Sequence, residues 1–210
     1  IQPTPLNLCD YINTGDETEE FTLEDSIEQV LQGQTGINIS FYETQEDADN
    51  DTNPIFSPYT NTSNAQTIYI RGENEITGCY STITLDLRVN PIPSPAVPQA
   101  IEECDEDNDG FTFFTVEQNE VDIINGELDI VLSYHETLTN AENGIEPIIS
   151  PYYNIVPDSQ IIFVRAENTI TGCFSIVEQE LVTLPSPELP LIIEDIIAVS
   201  YTHLRAHETA

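Results

Sequence analysis

The sequence contains no lysine, methionine or tryptophan, and its four basic residues are all arginines. Aspartate and glutamate together number 38, so the formal net charge is −34 at pH 7. A surface of this charge repels phosphate backbones and anionic lipid headgroups, which excludes nucleic-acid binding. Cations are the partners that such a surface attracts. The alternative is an acidic extracellular surface that binds no particular cation.

The chain also lacks a long hydrophobic run. No apolar stretch approaches the roughly 18 residues of a membrane-spanning helix, so we expect no membrane insertion. The first ten residues, IQPTPLNLCD, have neither the basic nor the apolar segment of a signal peptide, and we interpret the sequence as an internal part of a longer protein. None of the four cysteines has the C-x-x-C spacing of a zinc or redox motif.

One phrase occurs twice. RGENEITGCYS at 71–81 returns as RAENTITGCFS at 165–175. When the copies are aligned, Cys9 falls on Cys104 and Cys79 falls on Cys173. The period is the size of a domain, which indicates two tandem domains rather than a solenoid.

Each copy contains two of the four cysteines. This pattern predicts two intra-domain disulfides, Cys9–Cys79 and Cys104–Cys173, and the alternative is two buried free thiols in each domain. Disulfides persist in oxidising compartments, so we expect an extracellular or cell-surface location.

Short segments with alternating apolar and polar residues dominate both copies, as in INISFYE at 37–43 and QTIYIRGE at 66–73. Helical turns are predicted to begin near Thr22, Thr44, Thr115 and Thr137, with a capping box formed by Thr115 and Gln118. We therefore predict an all-β protein of two tandem immunoglobulin-like antiparallel β-sandwich domains with short helical turns, joined by a Pro-rich linker.

The predicted organisation follows the proline-rich stretches, which favour an extended and semi-rigid spacer. The last stretch, VSYTHLRAHETA, differs in composition from the repeats and resembles adapter-derived sequence. The predicted units are the first repeat at 1–91, the linker at 92–98, the second repeat at 99–185, a linker with the start of a truncated third repeat at 186–198, and a non-native tail at 199–210.

An acidic loop is the sharpest local motif. Asp105, Asp107 and Asp109 alternate before Gly110, as in the first half of a calcium-binding loop. An EF-hand requires a glutamate at the twelfth position, where this chain has Val116. We predict a calcium site at the three aspartates that stiffens the domain junction, with weak or no binding in the first repeat. The alternative is a solvated acidic turn.

No set of residues indicates catalysis. His135 has no nucleophile and orienting acid marked beside it, and its counterpart in the first repeat is Tyr42. Arg71 and Arg165 match across the copies, and a structural ion pair or backbone contact is favoured over a ligand contact. We predict a non-enzymatic protein with no catalytic or cofactor-binding residue and with calcium as its one cofactor.

Several motifs together, CDEDNDGF, LSYHET, the SPY triplets, VRAEN with TGC, and NPIPSP, resemble repeats of large flavobacterial cell-surface proteins. Those proteins are adhesin-like or associated with gliding motility and are exported by type IX secretion. The resemblance implies a structural and adhesive repeat segment whose partners are neighbouring repeats of the same chain, surface glycans or other cell-surface proteins.

A second interpretation is a carbohydrate-binding or accessory module of a secreted multidomain hydrolase. It requires an exposed aromatic platform, for which Tyr59, Tyr152 and Tyr153 are the candidates.

Overall fold

The computed structural model describes residues 2–187, so the predicted tail at 199–210 and all but two residues of the segment at 186–198 lie outside the described part. Two domains follow one another with the same order of elements. In the first domain these are β1 (Leu6–Cys9), β2 (Glu20–Phe21), a 3-10 turn (Leu23–Ser26), α1 (Ile27–Leu31), β3 (Ile37–Tyr42), α2 (Gln45–Asn50), β4 (Tyr59–Thr60), β5 (Gln66–Asn74) and β6 (Tyr80–Asn90). In the second they are β7 (Ile101–Asp105), β8 (Phe113–Phe114), a 3-10 turn (Val116–Asn119), α3 (Glu120–Ile124), β9 (Ile130–His135), α4 (Leu138–Asn143), β10 (Tyr152–Tyr153), β11 (Ser159–Asn168) and β12 (Phe174–Pro185).

Each domain contains a four-stranded sheet and a two-stranded sheet. The larger sheets have the orders β1-β6-β5-β3 and β7-β12-β11-β9, and the smaller ones pair β2 with β4 and β8 with β10. The predicted fold class is confirmed, with one difference. The first strand of each domain runs parallel to the last strand, whereas the other pairs are antiparallel.

The alternation seen in the sequence forms the core. Ile68 and Ile70 of β5 are fully buried, as are Leu85 and Leu87 of β6, and Ile68 lies opposite Leu85. Each such side chain contributes about 2 kcal/mol of burial free energy. The buried residues form two clusters, and each cluster draws its members from one domain. Two separately packed domains are therefore present, as the repeat predicted.

The helical turns are held at their starts in two ways. The hydroxyls of Thr44 and Thr137 accept hydrogen bonds from the backbone three residues on, as expected for helix N-caps. The capping box predicted at Thr115 is wrong, since Thr115 makes no side-chain cap. The Ser150 hydroxyl instead accepts the N–H of Val116 at 3.0 Å. A residue far away in sequence has taken over the role of the cap.

Among the described residues, no helix is both long and apolar enough to cross a membrane.

Candidate functional site: the inter-domain junction and the acidic loop

A disulfide joins the two domains. Cys9 is bonded to Cys173 with a Cα–Cα distance of 5.5 Å, while Cys79 and Cys104 are exposed free thiols. The predicted intra-domain pairs, Cys9–Cys79 and Cys104–Cys173, are therefore wrong. The sequence predicts disulfides for all four cysteines, whereas two of them form a single bond in the structure.

The parallel pairing of the first and last strands explains the correction. Cys9 lies opposite Asn90 at the end of β6, whereas Cys79 directly precedes the start of that 11-residue strand. At about 3.3 Å per residue, the two cysteines are separated by roughly 35 Å, whereas a disulfide tolerates at most about 7 Å between Cα atoms. Cys104 lies opposite Leu184, so it is separated in the same way from Cys173. Each domain thus carries one cysteine at each end.

Aromatic contacts surround the disulfide. The Tyr11 ring meets the Phe174 ring edge-on at a centroid distance of 5.9 Å, and the Tyr11 hydroxyl donates to the Phe174 carbonyl at 3.3 Å. The Arg165 guanidinium stacks on the same Phe174 ring, 3.4 Å from its centroid. Phe174 therefore contacts both a cation of its own domain and a tyrosine of the first domain.

The Pro-rich linker packs along the second domain. The Ser175 hydroxyl donates to the Pro93 carbonyl at 2.6 Å, and the Ala96 N–H donates to the Ile123 carbonyl at 3.0 Å. Further along, the Gln179 side-chain amide donates to the Gln99 carbonyl at 2.7 Å. The linker was predicted to be a spacer, and the structure shows it docked between α3 and β12. The backbone and the disulfide together provide two covalent connections between the domains.

Arg71 and Arg165 have matching structural roles. Each donates through Nη1 to two carbonyls near the end of a short helix, Ala48 and Asp49 for Arg71 and Ala141 and Glu142 for Arg165. Each is also paired with a glutamate two residues on, and each stacks on the aromatic residue that follows the second cysteine of its domain. These contacts account for both arginines without a ligand.

The acidic loop lies at the far end of the second domain. Carboxylate oxygens of Asp105, Asp107 and Asp109 lie within 4.8 Å of one another. The loop follows Cys104, which is separated from Cys173 by almost the full length of β12. A cation held here would therefore act at the end of the second domain that faces away from the Cys9–Cys173 junction. The prediction that a cation here stiffens the junction between the two domains is therefore not supported by the position of the loop.

Much of the loop geometry is explained by its own hydrogen bonds. Asp105 accepts the N–H groups of Asp107, Asn108 and Gly110, the last at 2.6 Å. Burial raises the pKa of the Asp105 carboxyl, but these donors, Gly110 first, outweigh that effect and hold its pKa below the ordinary value of 3.8. The pKa of Asp107 is raised, first by its contact with the Asp105 carboxyl and then by the charge of Asp109. Oxygen ligands at this spacing suit a hard divalent cation.

The equivalent loop of the first domain is closed differently. Asp10 accepts the Gly15 N–H at 2.7 Å, as Asp105 does for Gly110. The buried Glu19 carboxylate accepts the N–H groups of Tyr11 and Ile12. A glutamate from further along the chain thus closes this loop, in place of the second and third aspartates.

An exposed aromatic group borders the acidic loop. The ring of Tyr153 is stacked on Phe111 at 6.0 Å and tilted against Phe113 at 4.9 Å. Phe113 is 61% exposed and Tyr153 is 46% exposed. Tyr59 and Tyr152, two of the three tyrosines predicted as candidates for an aromatic platform, are core residues. Phe111 and Phe113 are not among the residues predicted from the sequence, although two phenylalanines that follow an acidic turn are a visible signal.

His135 is a buried structural residue. Its Nδ1 lies 2.8 Å from the Ile145 carbonyl and its Nε2 lies 2.9 Å from the Ser133 hydroxyl. Both ring nitrogens have partners within the domain, and its counterpart Tyr42 is buried as well. Neither residue is positioned to meet a substrate.

Comparisons with known proteins place the chain by its repeats. No curated protein sequence matches it. Among solved structures, it is similar to a three-Ig fragment of titin at 12% identity, to extracellular domains 3–5 of Drosophila OTK at 13%, and to the EC1-4 region of Drosophila N-cadherin at 10%. The matches cover 88%, 87% and 87% of this chain and 64%, 60% and 48% of those chains, with TM-scores of 0.31, 0.35 and 0.24. Similarities this low carry no argument about function.

The family model described as "Flavobacterium inter-domain disulphide bond domain" matches twice, at residues 5–93 and at residues 100–187. The two matches fall on the two domains, and the Cys9–Cys173 bond between them is of the kind that the description names. The chain belongs to the Flavobacterium inter-domain disulphide bond domain family and carries two tandem copies of it.

Proposed function

We propose that this chain is a non-enzymatic structural segment of a bacterial cell-surface protein, in which successive domains are held end to end. The observation that carries the proposal is the double connection at the junction. The docked linker and the Cys9–Cys173 bond join the same two domain ends, since Cys9 lies beside Asn90, where the chain leaves the first domain. Two connections restrict bending and twisting more than one connection does, which suits a segment that transmits position or force.

An extracellular location accords with this role. A disulfide between domains persists where the surroundings are oxidising, and the high negative charge keeps the chain soluble there. We include in the proposal an adhesive role for the parent protein, export by type IX secretion and contact with surface glycans or other surface proteins. These points rest on the motif resemblance.

We also propose calcium as a ligand of Asp105, Asp107 and Asp109. The support is the closeness of three carboxylates, the raised pKa of Asp107, and the exposure of Asp107 and Asp109. A divalent ion would neutralise the repulsion that raises the Asp107 pKa.

The stiffness of the junction is the test. Distance-reporting labels introduced as non-natural amino acids at the exposed strand positions Thr67 and Ile161 leave the cysteines untouched. We expect a narrow distance distribution between the labels in the native protein and a broader one in Cys9→Ser. The Cys79→Ser variant serves as the control because Cys79 is a free thiol. Equal widths for all three proteins would reject the structural role.

A second candidate function is carbohydrate binding at the aromatic group of Phe111, Phe113 and Tyr153. Exposed rings near acidic side chains are a common surface for sugars, and here they border a cleft that also includes Asp107. A glycan array probed with the native chain and with Phe113→Ala tests it. Binding that disappears in the variant supports a binding module, and no binding by the native chain removes this candidate.

A further inference from the structure

A cleft in the first domain corresponds to the surface that the linker covers in the second. This cleft has a volume of about 350 Å³ and is lined by residues of α1, β3, β5 and β6, among them Val30, Ile37, Ile39, Gly72 and Ser81, together with Cys79. Apolar side chains such as Ile39 alternate in its lining with polar ones such as Gln34, and the free thiol of Cys79 is part of the lining.

The same positions of the second domain carry the linker. Ser175, the counterpart of Ser81, donates to the Pro93 carbonyl, and Ile123, the counterpart of Val30, accepts the Ala96 N–H. Glu127, the counterpart of Gln34, accepts the Ser94 N–H at 2.8 Å. The linker thus makes a hydrogen bond at three positions whose counterparts line the open cleft.

Residues of this surface are more exposed in the first domain than their counterparts in the second, as expected for a surface that lacks its linker. Cys173 and Ala166 are fully buried in the second domain, whereas their counterparts Cys79 and Gly72 are exposed and half-buried. Ile123 is fully buried and Val30 is half-buried, and Ser175 is half-buried whereas Ser81 is exposed. One surface is therefore covered on one domain and open on the other.

We propose that the cleft of the first domain is the docking site for the Pro-rich linker of a preceding repeat, and that Cys79 forms a disulfide with the first cysteine of that repeat. Cys104 is the thiol that forms the corresponding disulfide with a following repeat. It lies beside Leu184 near the end of β12, as Cys9 lies beside Asn90 near the end of β6. Bond formation oxidises two thiols to one disulfide and releases two protons and two electrons to a thiol–disulfide oxidant such as oxidised glutathione. The proposal deepens the structural role and rests on it.

The partner is specified by this junction. It presents a proline-rich segment of the NPIPSPA type, whose carbonyls and N–H groups form hydrogen bonds with the cleft. Beside that segment it presents a cysteine and an aromatic residue, as the first domain presents Cys9 and Tyr11. Tyr80 would receive that aromatic residue as Phe174 receives Tyr11, since Arg71 already stacks on Tyr80 at 3.5 Å.

A three-repeat chain tests the proposal. Residues 1–98 with Cys79→Ser, placed ahead of residues 4–210, put the natural linker directly before the first domain and leave a single Cys79 for peptide mapping to assign. After oxidation with glutathione, peptide mapping without reduction is expected to find Cys9 of the added copy bonded to the original Cys79, with the Cys9–Cys173 bond retained. If the original Cys79 is alkylated as readily as in the two-repeat chain, the proposal is overturned.

The role of the cleft is tested separately from that of the thiol. In the three-repeat chain, Ser81→Trp in the original copy of the first domain obstructs the cleft under test. This substitution is expected to suppress the new bond. Asn38→Trp is the control, because Asn38 lies between Ile37 and Ile39 on β3 and its side chain points to the opposite face of the sheet. Formation of the Cys9–Cys173 bond in both variants reports that they are folded. Equal yields of the new bond in both would show that the linker does not use this cleft. This readout is a bond assignment, so it can fail while the stiffness test of the existing junction succeeds, and the reverse also holds.

Discussion

The Arg165 guanidinium carbon lies 3.4 Å from the centroid of the Phe174 ring, and the same ring contacts Tyr11 of the first domain. Arg165 also holds the end of α4 through the Ala141 and Glu142 carbonyls. One side chain therefore connects the interior of the second domain to its junction with the first. In the first domain, Arg71 stacks on Tyr80 in the same way, and within the described residues 2–187 that tyrosine is 46% exposed.

Arg165→Gln should destabilise the second domain by about 2 kcal/mol, because two carbonyls and a partly exposed glutamate lose a charged donor. Arg88→Gln is the matched control. Its side chain is 52% exposed and lies 3.6 Å from Asp86, so about 0.5 kcal/mol or less is expected. Urea unfolding measures both variants. Equal losses for both would show that the buried contacts of Arg165 contribute nothing beyond a surface pair.

Cys9→Ser should lower the stability of the two-domain unit, because the disulfide spans 164 residues. In the chain-entropy model, a loop of this length is worth about 5 kcal/mol, and real proteins often realise less. Differential scanning calorimetry should show separate transitions of the two domains in Cys9→Ser, whereas the native protein should unfold in a more cooperative transition. Cys104→Ser should leave the thermogram unchanged, and a comparable change there would contradict the assignment of Cys104 as a free thiol.

Asp107→Asn tests the calcium site. Without calcium, the substitution should raise the melting temperature, because it removes one of three close negative charges and the group with the raised pKa. The native protein should melt at a higher temperature in millimolar calcium than in chelator, and the variant should lose this difference. Glu106→Gln removes the same charge from the neighbouring residue and should keep the calcium response. An identical melting temperature of the native protein in calcium and in chelator would exclude the site.

The contribution of Asp105 should depend on pH. Its pKa is depressed in the folded state, so the unfolded state binds more protons around the ordinary value of 3.8. The stabilisation by its carboxylate is then fully present above that value and is lost as the pH falls through the folded-state pKa. The stability difference between the native protein and Asp105→Asn should therefore be large at pH 7 and shrink in strong acid. A difference that stays constant from pH 7 into that acid range would contradict this.

Gly110→Ala should be more destabilising than Gly15→Ala. Both glycines have a positive φ, 88° and 98°, so each substitution carries a backbone penalty of about 1 kcal/mol. A Cβ on Gly110 would also lie 2.7 Å from Pro157 Cβ and 3.2 Å from the Asp158 nitrogen, whereas a Cβ on Gly15 meets nothing within 4 Å. We expect a further loss of about 2 kcal/mol for Gly110→Ala from overpacking. Chemical denaturation measures the difference, and equal losses would mean that the Pro157 turn moves freely.

The sequence by itself determined the two-domain architecture. The repeated RGENEITGCYS phrase, the alternation in β5 and the threonine caps at Thr44 and Thr137 are local signals, and local signals suffice for strands, turns and a repeat. The acidic loop could also be located, because its three aspartates lie at every second position within five residues of the chain.

Only the tertiary structure decided which cysteines meet. Cys9 and Cys79 belong to one repeat, but β1 lies parallel to β6 and so places them at opposite ends of the domain. Spacing along a chain does not reveal the direction in which a first strand joins a sheet, and a disulfide requires Cα atoms within about 7 Å. For the same reason the docked linker and the open cleft beside Cys79 had no signal in the sequence. Both arise from surfaces that come together only after each domain has folded.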